Sequence, residues 1–562
     1  MIGAEAIATI LRKQGAEYLF TYPDQRLVEP ATKLGIRPLM PRTERAAVGM
    51  ADGYARMTNG RLPAVVAVQY GPGIESSFGG IAQAFSDSTP VLVLCGHTPL
   101  ARVGQDPNFD AVANFRGVTK WSIRAESAMR IPELFRRAFT YLQMGEPGPV
   151  LIDLPLEAVL GEVDAAEVAS YEPVRRVRSA GDPVDIEAVA DLLVAAVCPI
   201  IHAGHGILYA EASDSLRELA ELLALPVMTT LPGKSAFPED HPLSLGSGGL
   251  SWPRPVAQFI ARADVILAVG ASLTASQFAF PLPPGKTVIQ VINNERSLNK
   301  DYPVTRAILG DADLVLKQLI AAVKERSSTK DRRRTRPEPT AAIEQARKAF
   351  RDDWQLRLTS TEVPISPYRV IHDLGRALAG ESLVVTHDSG RPRDQVAPFW
   401  LARDPRSYLG WGKSTQLGHG MGLIMGAKVA APERTAINFM GDAAFGMVGM
   451  EIESAVRLRI PIMTVVLNNS AMSHYEKVYP LATERHGFKF LSGDYGGVAR
   501  ALGAHSERVV APDEIVPALR RAREVLAGGQ PVLFEVISKE ESAVSQERFT
   551  DETPKWAKVA LP

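Results

Sequence analysis

Cysteine is nearly absent: only Cys95 and Cys198 occur in 562 residues, too few for a disulfide framework. Both fall in short apolar runs, VLVLCG and AAVCPI, and read as buried free thiols of a reducing compartment. An excess of charge of either sign is also missing, since 62 Lys and Arg face 63 Asp and Glu for a net charge of -1. Such a balance argues against nucleic acid or an anionic membrane as a partner. No apolar stretch reaches the ~18 residues of a membrane-spanning helix. The N-terminal MIGAEAIATILRKQG carries Glu5 within its apolar residues, so it reads as an amphipathic helix rather than a signal peptide. A cytoplasmic protein is expected. Short tandem repeats and low-complexity tracts are lacking as well.

What is present is the composition of a globular protein, 46% apolar and 22% charged, in a chain long enough for several domains. Short β-rich runs alternate with helix-length segments, as in PAVVAVQY, IESSFGGIAQAF and TPVLVLCG. That is the pattern of strand, crossover helix and parallel strand, hence an α/β fold. Two charged, Pro-bearing stretches, 171–183 and 325–339, have no apolar periodicity and read as linkers. The second contains Arg332, Arg333 and Arg334, read as a solvated connector. These cuts predict three doubly wound parallel-sheet domains at 1–170, 184–325 and 341–545. To these are added a linker at 326–340 and a C-terminal tail at 546–562, which reads equally as a lid or as a disordered terminus.

The densest chemistry lies between Thr435 and Asn469. An apolar strand ends at Met440, a Gly-Asp turn and a helix follow, and a second strand ends in Asn468-Asn469. A right-handed crossover makes the two strands parallel, so both turns lie at carboxyl ends, the ligand-binding edge of open α/β sheets. Asp442 and Asn469 then sit side by side. One carboxylate, one amide carbonyl and a nearby backbone carbonyl such as that of Ala471 supply three hard oxygens. Magnesium takes six, usually drawing the rest from phosphate and water. Ala443 and Ala444 open the helix with backbone N-H groups that favour an anion. A magnesium-bound diphosphate is therefore expected.

This Gly-Asp, helix, strand, Asn-Asn order resembles the diphosphate and magnesium motif of thiamine-diphosphate enzymes. GDAAFGMVGMEIE is close to the version in oxalyl-CoA decarboxylases and 2-hydroxyacyl-CoA lyases, with Ala443 where the family usually has Gly or Ser. The likeness covers nearly the whole chain and implies pyrimidine-binding, central and diphosphate-binding domains in that order. PRTERAAVGMADGYAR (41–56) is similar to the segment holding the family's activating glutamate, which implies that role for Glu44, opposite the aminopyrimidine. STQLGHGMGLIMGA (414–427) resembles the glycine-rich loop beneath the cofactor, with Leu417 at the apolar wedge between its rings. The implied cofactor contacts are Ser389, Gly390, Gln416, Leu417, Gly441, Asp442, Ala443, Ala444, Asn469, Ala471 and Met472. Gly390 stands where the lyases tend to carry an amide, which leaves space near the pyrimidine. The resemblance also implies a homodimer or homotetramer, with Glu44 from one subunit and the diphosphate site from its neighbour.

For the substrate, SDSTPVLVL and VGQDPNFD look like acetolactate synthases. Yet Asn108-Phe109-Asp110 replaces their Phe-Gln-Glu, and no tryptophan-bearing arm follows Asn469. The motif around Asp442 instead favours cleavage of a 2-hydroxyacyl-CoA to an aldehyde or ketone plus formyl-CoA, so the expected small-molecule substrate is an acyl-CoA. Alternatives are an oxalyl-CoA or 2-oxoacid decarboxylase and an acetolactate synthase-like carboligase. His474, Glu476, His97 and His419 are candidates for a substrate-side base. A NAD-binding oxidoreductase, argued from HAGHG (202–206), lacks the third glycine of the fingerprint and an acidic residue after the next strand.

Overall fold

The computed structural model describes residues 1–545 except 25, 97, 277 and 327–337. In it the alternating runs form three six-stranded sheets whose paired strands are all parallel. The first contains β1 (Tyr18–Tyr22), β2 (Arg37–Leu39), β3 (Val65–Gln69), β4 (Leu92–Gly96), β5 (Trp121–Arg124) and β6 (Val150–Leu154), in the order 2-1-3-4-6-5. The second contains β7 (Ile200–Ala203), β8 (Val227–Thr230), β9 (Ser244–Gly248), β10 (Val265–Val269), β11 (Thr287–Ile292) and β12 (Arg306–Leu309), ordered 12-11-10-7-8-9. The third contains β13 (Leu383–His387), β14 (Tyr408–Leu409), β15 (Thr435–Gly441), β16 (Ile462–Asn468), β17 (His505–Val509) and β18 (Val532–Ile537), ordered 14-13-15-16-18-17. Their central strands, such as VILAV of β10 and IMTVVLN of β16, are buried throughout, as parallel strands covered on both faces require. In the third sheet the strand order reverses between β13 and β15, which opens a crevice at their carboxyl ends.

Helices α1 (Gly3–Lys13), α2 (Glu44–Met57), α3 (Pro72–Ser86), α4 (Arg391–Val396), α5 (His419–Ala430), α6 (Asp442–Val448) and α7 (Glu451–Leu458) matter for the site. The first is the expected amphipathic segment, with Ile7, Ile10 and Leu11 buried and Arg12 and Lys13 in its last turn. The single helix expected after the Gly-Asp turn is two, α6 and α7, separated at Gly449-Met450. Glycine is a poor helix former, and a Cβ at Gly449 would lie 2.7 Å from the Phe445 ring. No helix among the described residues is long and apolar enough to cross a membrane.

The first and third domains meet where α2 crosses α5. Gly49 and Gly53 on one helix, and Gly422 and Gly426 on the other, recur four residues apart along the contact. A Cβ on Gly49 would stand 3.1 Å from the Gly422 Cα, and one on Gly422 would stand 2.9 Å from the Ala46 carbonyl oxygen. Only glycine lets the two backbones approach this closely. Cys95 is buried as expected, but Cys198 is exposed. It lies in the turn before β7, where its N-H donates to Asp264 at 2.9 Å, so its apolar neighbours do not enclose it. The arginine run 332–334, the tail 546–562 and His97 lie outside the described residues.

Candidate active site

A cleft of about 430 Å³ opens at the carboxyl ends of β13, β15 and β16, where the reversal of strand order places it. Its walls include Ser389, Gly390, Leu417, Gly441, Asp442, Ala443, Ala444, Asn469, Ala471 and Met472. Gln416 is not among them; its amide is turned onto Gly79 of α3. Asp442 Oδ1 accepts the Ala443 N-H at 2.9 Å, whereas Oδ2 is buried without a hydrogen-bond partner. Burial pushes this carboxyl up to about 6, against the pull of the N-H groups of Ala443, Ser470 and Ala471. Those last two groups place the tip of β16 against Asp442. Asn469 Oδ1 accepts the Ala471 N-H at 3.0 Å, and its Nδ2 donates to Ser473. A buried carboxylate oxygen left unpaired is costly, and a divalent cation is the group that would satisfy it. Asp442, Asn469 and the Ala471 carbonyl thus fit a magnesium site that draws its remaining ligands from phosphate and water. No atom lies within 4 Å of a Cβ built on Gly390, so the expected space is there.

Glu44 begins α2 and is 8% exposed, with Oε1 3.5 Å from the Cβ position of Gly73. It does not line the cleft of its own chain. The start of its helix is nevertheless pinned to the third domain. The Thr43 hydroxyl accepts the Ala46 N-H and donates to Glu451 Oε1 at 2.8 Å, and the Arg42 N-H donates to Glu451 Oε2 at 3.0 Å. The Arg45 guanidinium donates to the Leu417 carbonyl. Glu451, buried at the head of α7, therefore ties the Glu44 segment to the helix that follows the Gly-Asp turn.

The base candidates separate sharply. His419 is no surface base: it is buried in the α2–α5 contact, with Nε2 3.0 Å from Asp52. Asp52 also accepts from Arg56 at 2.5 Å, and Arg56 reaches Asp87 at 3.3 Å. Burial pushes Asp52 up, but Arg56 and His419 together hold it well below the usual carboxylate range. The Glu476 carboxylate accepts from Lys489 at 2.9 Å, and Lys489 also pairs with Glu540 at 2.7 Å. That ion pair holds Glu476 low and makes it part of the loop's scaffold. His474 sits between the cleft-lining Ser473 and Tyr475, with its Nε2 unpartnered. Burial, then Arg391 and Lys477, push its imidazole down, so it is neutral at physiological pH and able to accept a proton. Asp52→Ala is expected to lower unfolding free energy by about 2–4 kcal/mol, because it removes the nearer of the two carboxylates that pair buried Arg56 and leaves the His419 ring without its partner. Urea unfolding measures this, and a loss below about 1 kcal/mol would show the network to be dispensable.

Residues that no motif marks also shape the cleft. Asp388, fully buried, accepts the N-H groups of Gly418 and Ser389 at 2.8 Å and of Gly420 at 2.9 Å, and so clamps the glycine-rich loop onto β13. An acidic residue at a strand's carboxyl end, in THDSG, was the available clue. Arg391, Lys539 and Glu541 also line the cleft. The glycines of HAGHG serve packing instead: Cβ atoms on Gly204 and Gly206 would lie 2.6 Å from Ala271 Cα and Gly270 Cα. The cavities beside them hold about 30 and 70 Å³, well below the ~300 Å³ at which ligand pockets begin.

Family comparison agrees with this geometry. Residues 1–119 match the thiamine pyrophosphate enzyme N-terminal TPP binding domain, 186–319 the thiamine pyrophosphate enzyme central domain, and 388–536 the thiamine pyrophosphate enzyme C-terminal TPP binding domain. The chain is 30% identical to a probable acetolactate synthase large subunit of Methanocaldococcus jannaschii, covering 96% of this chain and 92% of that one. It is 30% identical to the acetolactate synthase isozyme 3 large subunit of Escherichia coli, covering 95% and 94%. Against the mitochondrial acetolactate synthase catalytic subunit of Saccharomyces cerevisiae the figures are 28%, 95% and 80%. These relatives do not support the acyl-CoA branch expected from the Asp442 motif. With three domain matches in the expected order and two whole-length relatives at this identity, the chain belongs to the thiamine pyrophosphate enzyme family and is acetolactate synthase-like.

Proposed function

We propose that this protein is a magnesium- and thiamine-diphosphate-dependent carboligase that takes a 2-oxo acid, in the manner of an acetolactate synthase. The observation that carries the cofactor reading is the unpaired, buried Asp442 Oδ2 at a strand tip beside Asn469. Substrate class follows from the relatives' names over the full chain length. The departure at residues 108–110 weighs little against it, because those side chains serve the scaffold. Asn108 donates to the Arg102 carbonyl at 2.6 Å, Phe109 packs edge-on to Phe115, and Asp110 caps a helix and pairs with Arg124 at 3.0 Å.

When bound, thiamine diphosphate supplies a nucleophilic carbon and a sink for the electron pair released beside a carbonyl. The chain's residues do the rest. Asp442, Asn469 and the Ala471 carbonyl would hold the ion, and the Ala444 N-H at the head of α6 would be the one offered to the diphosphate, since Asp442 takes that of Ala443. Leu417 presents an apolar wall, and Gly390 leaves room beside it. Glu44 is the acid that would hydrogen-bond the pyrimidine of a neighbouring copy. The neutral His474 is the group placed to take a proton at the substrate end. A dimer is part of this proposal: Phe78 on α3 and Met447 on α6 are 39% and 59% exposed, and a second copy would cover them.

Purified protein loaded with cofactor and Mg²⁺, given pyruvate, a 2-hydroxyacyl-CoA and oxalyl-CoA in parallel, is expected to form acetolactate from pyruvate. Formyl-CoA from either thioester, without acetolactate, would return the assignment to the acyl-CoA branch.

A further inference from the structure

The cleft contains a cation that no described carboxylate pairs with directly, although Asp394 and Glu540 lie near enough to favour its charge. Lys539, on its rim, is tied to Glu362 at 2.6 Å and to Glu541 at 3.6 Å. Arg393, just beyond it, is tied to Asp394 at 2.7 Å. Arg391 lines the same cleft, half-buried, and its guanidinium makes no hydrogen bond or ion pair with any described residue. Its position is fixed from two sides. It follows Gly390, whose φ of 87° turns the chain out of β13. It precedes Pro392, whose Cγ lies 3.9 Å from the Cβ position of Gly441. Since β13, β15 and β16 are neighbours in the sheet, Arg391, Asp442 and Asn469 issue from three adjacent strand tips, with Asp442 in the middle.

We propose that Arg391 is a second counter-cation for the diphosphate, gripping it from the β13 side while the Asp442-held ion grips it from the β15–β16 side. This rests on the cofactor reading above. The charge balance asks for such a group. A diphosphate tail carries about three negative charges and Asp442 one more, against about two positive charges on the ion. Backbone N-H groups at helix ends cannot cover the remainder, because α4 and α6 span only six and seven residues and so short a helix has little macrodipole. A guanidinium presents a planar pair of donors that matches phosphate oxygens, and a half-buried one recovers its lost hydration only by such pairing.

The test is calorimetric titration of the 562-residue protein with thiamine diphosphate, thiamine monophosphate and thiamine, each at saturating Mg²⁺, for wild type, Arg391→Gln and Arg391→Lys. Matching thermal transitions certify that the variants are folded. Arg391→Gln is expected to weaken thiamine diphosphate about 10- to 100-fold and to leave thiamine unchanged, with Arg391→Lys between. Unchanged diphosphate affinity in Arg391→Gln, or equal weakening for thiamine, overturns the proposal. So does a raised KM for pyruvate with cofactor affinity intact, which would assign the guanidinium to the substrate carboxylate instead. Failure of the wild type itself to bind thiamine diphosphate with Mg²⁺ would overturn the cofactor reading as well.

Discussion

Asp442→Ala is expected to lose Mg²⁺-dependent thiamine diphosphate binding by more than about 100-fold, since mutating even the outer partners of metal ligands costs 10- to 100-fold. The cofactor-free protein should be no less stable than wild type. Burial raises the Asp442 carboxyl to about 6, above its ordinary range. Ionised at neutral pH and lacking its ion, it opposes folding, and alanine removes that cost. The same shift sets the pH dependence. Below about 6 the wild-type carboxyl is protonated and cannot serve as a ligand, so affinity should fall as pH drops through that value and level off above it. Titration calorimetry from acid to neutral pH, paired with thermal unfolding of the metal-free forms, checks both statements. An Asp442→Ala protein that binds the cofactor like wild type would remove the metal site from this position.

Glu44→Ala should behave in the opposite way: cofactor affinity within a few-fold of wild type, and kcat reduced by about 10²- to 10⁴-fold, the usual worth of a positioned proton donor. A mixing experiment then asks which chain the acid serves. Glu44 lies outside the cleft of its own chain, and the proposed dimer brings in the acid of a second copy. Co-refolded Glu44→Ala and Asp442→Ala subunits should therefore recover about a quarter of wild-type activity, because half the dimers are mixed and each mixed dimer has one intact site. No recovery would mean that each chain completes its own site.

Much of the third domain was readable because the Asp442 and Asn469 turns close consecutive strands, and the crossover rule alone places such turns at one sheet edge. The amphipathic start of α1 and the alternation behind three parallel sheets were readable for the same reason: both are local periodicities. His419 stood among the base candidates because its partner, Asp52, lies 367 residues away in sequence. The clamp from Asp388 to the glycine-rich loop spans 30 and 32 residues and has no motif of its own. Cys198 shows the limit of composition, since apolar neighbours in a turn do not bury a side chain. The substrate branch was not legible in the Asp442 motif, for a chemical reason. The segment around GDAAFG grips the far tail of a cofactor, so its wording says little about what is attached at the other end.

Sequence alone determined the three parallel sheets, the family and the placing of a carboxylate and an amide at two neighbouring strand tips, because hydrophobic period and turn chemistry act between neighbouring residues. Tertiary structure decided which charges are cancelled and which are left over. It buried His419 between two helices whose glycines allow their backbones to touch, tied Glu476 to a lysine, and left Asp442 Oδ2 and the Arg391 guanidinium without a hydrogen-bond partner among the described residues of one cleft. Electrostatic pairing depends on distance through space, and residues far apart in the chain acquire that distance only when the domains pack.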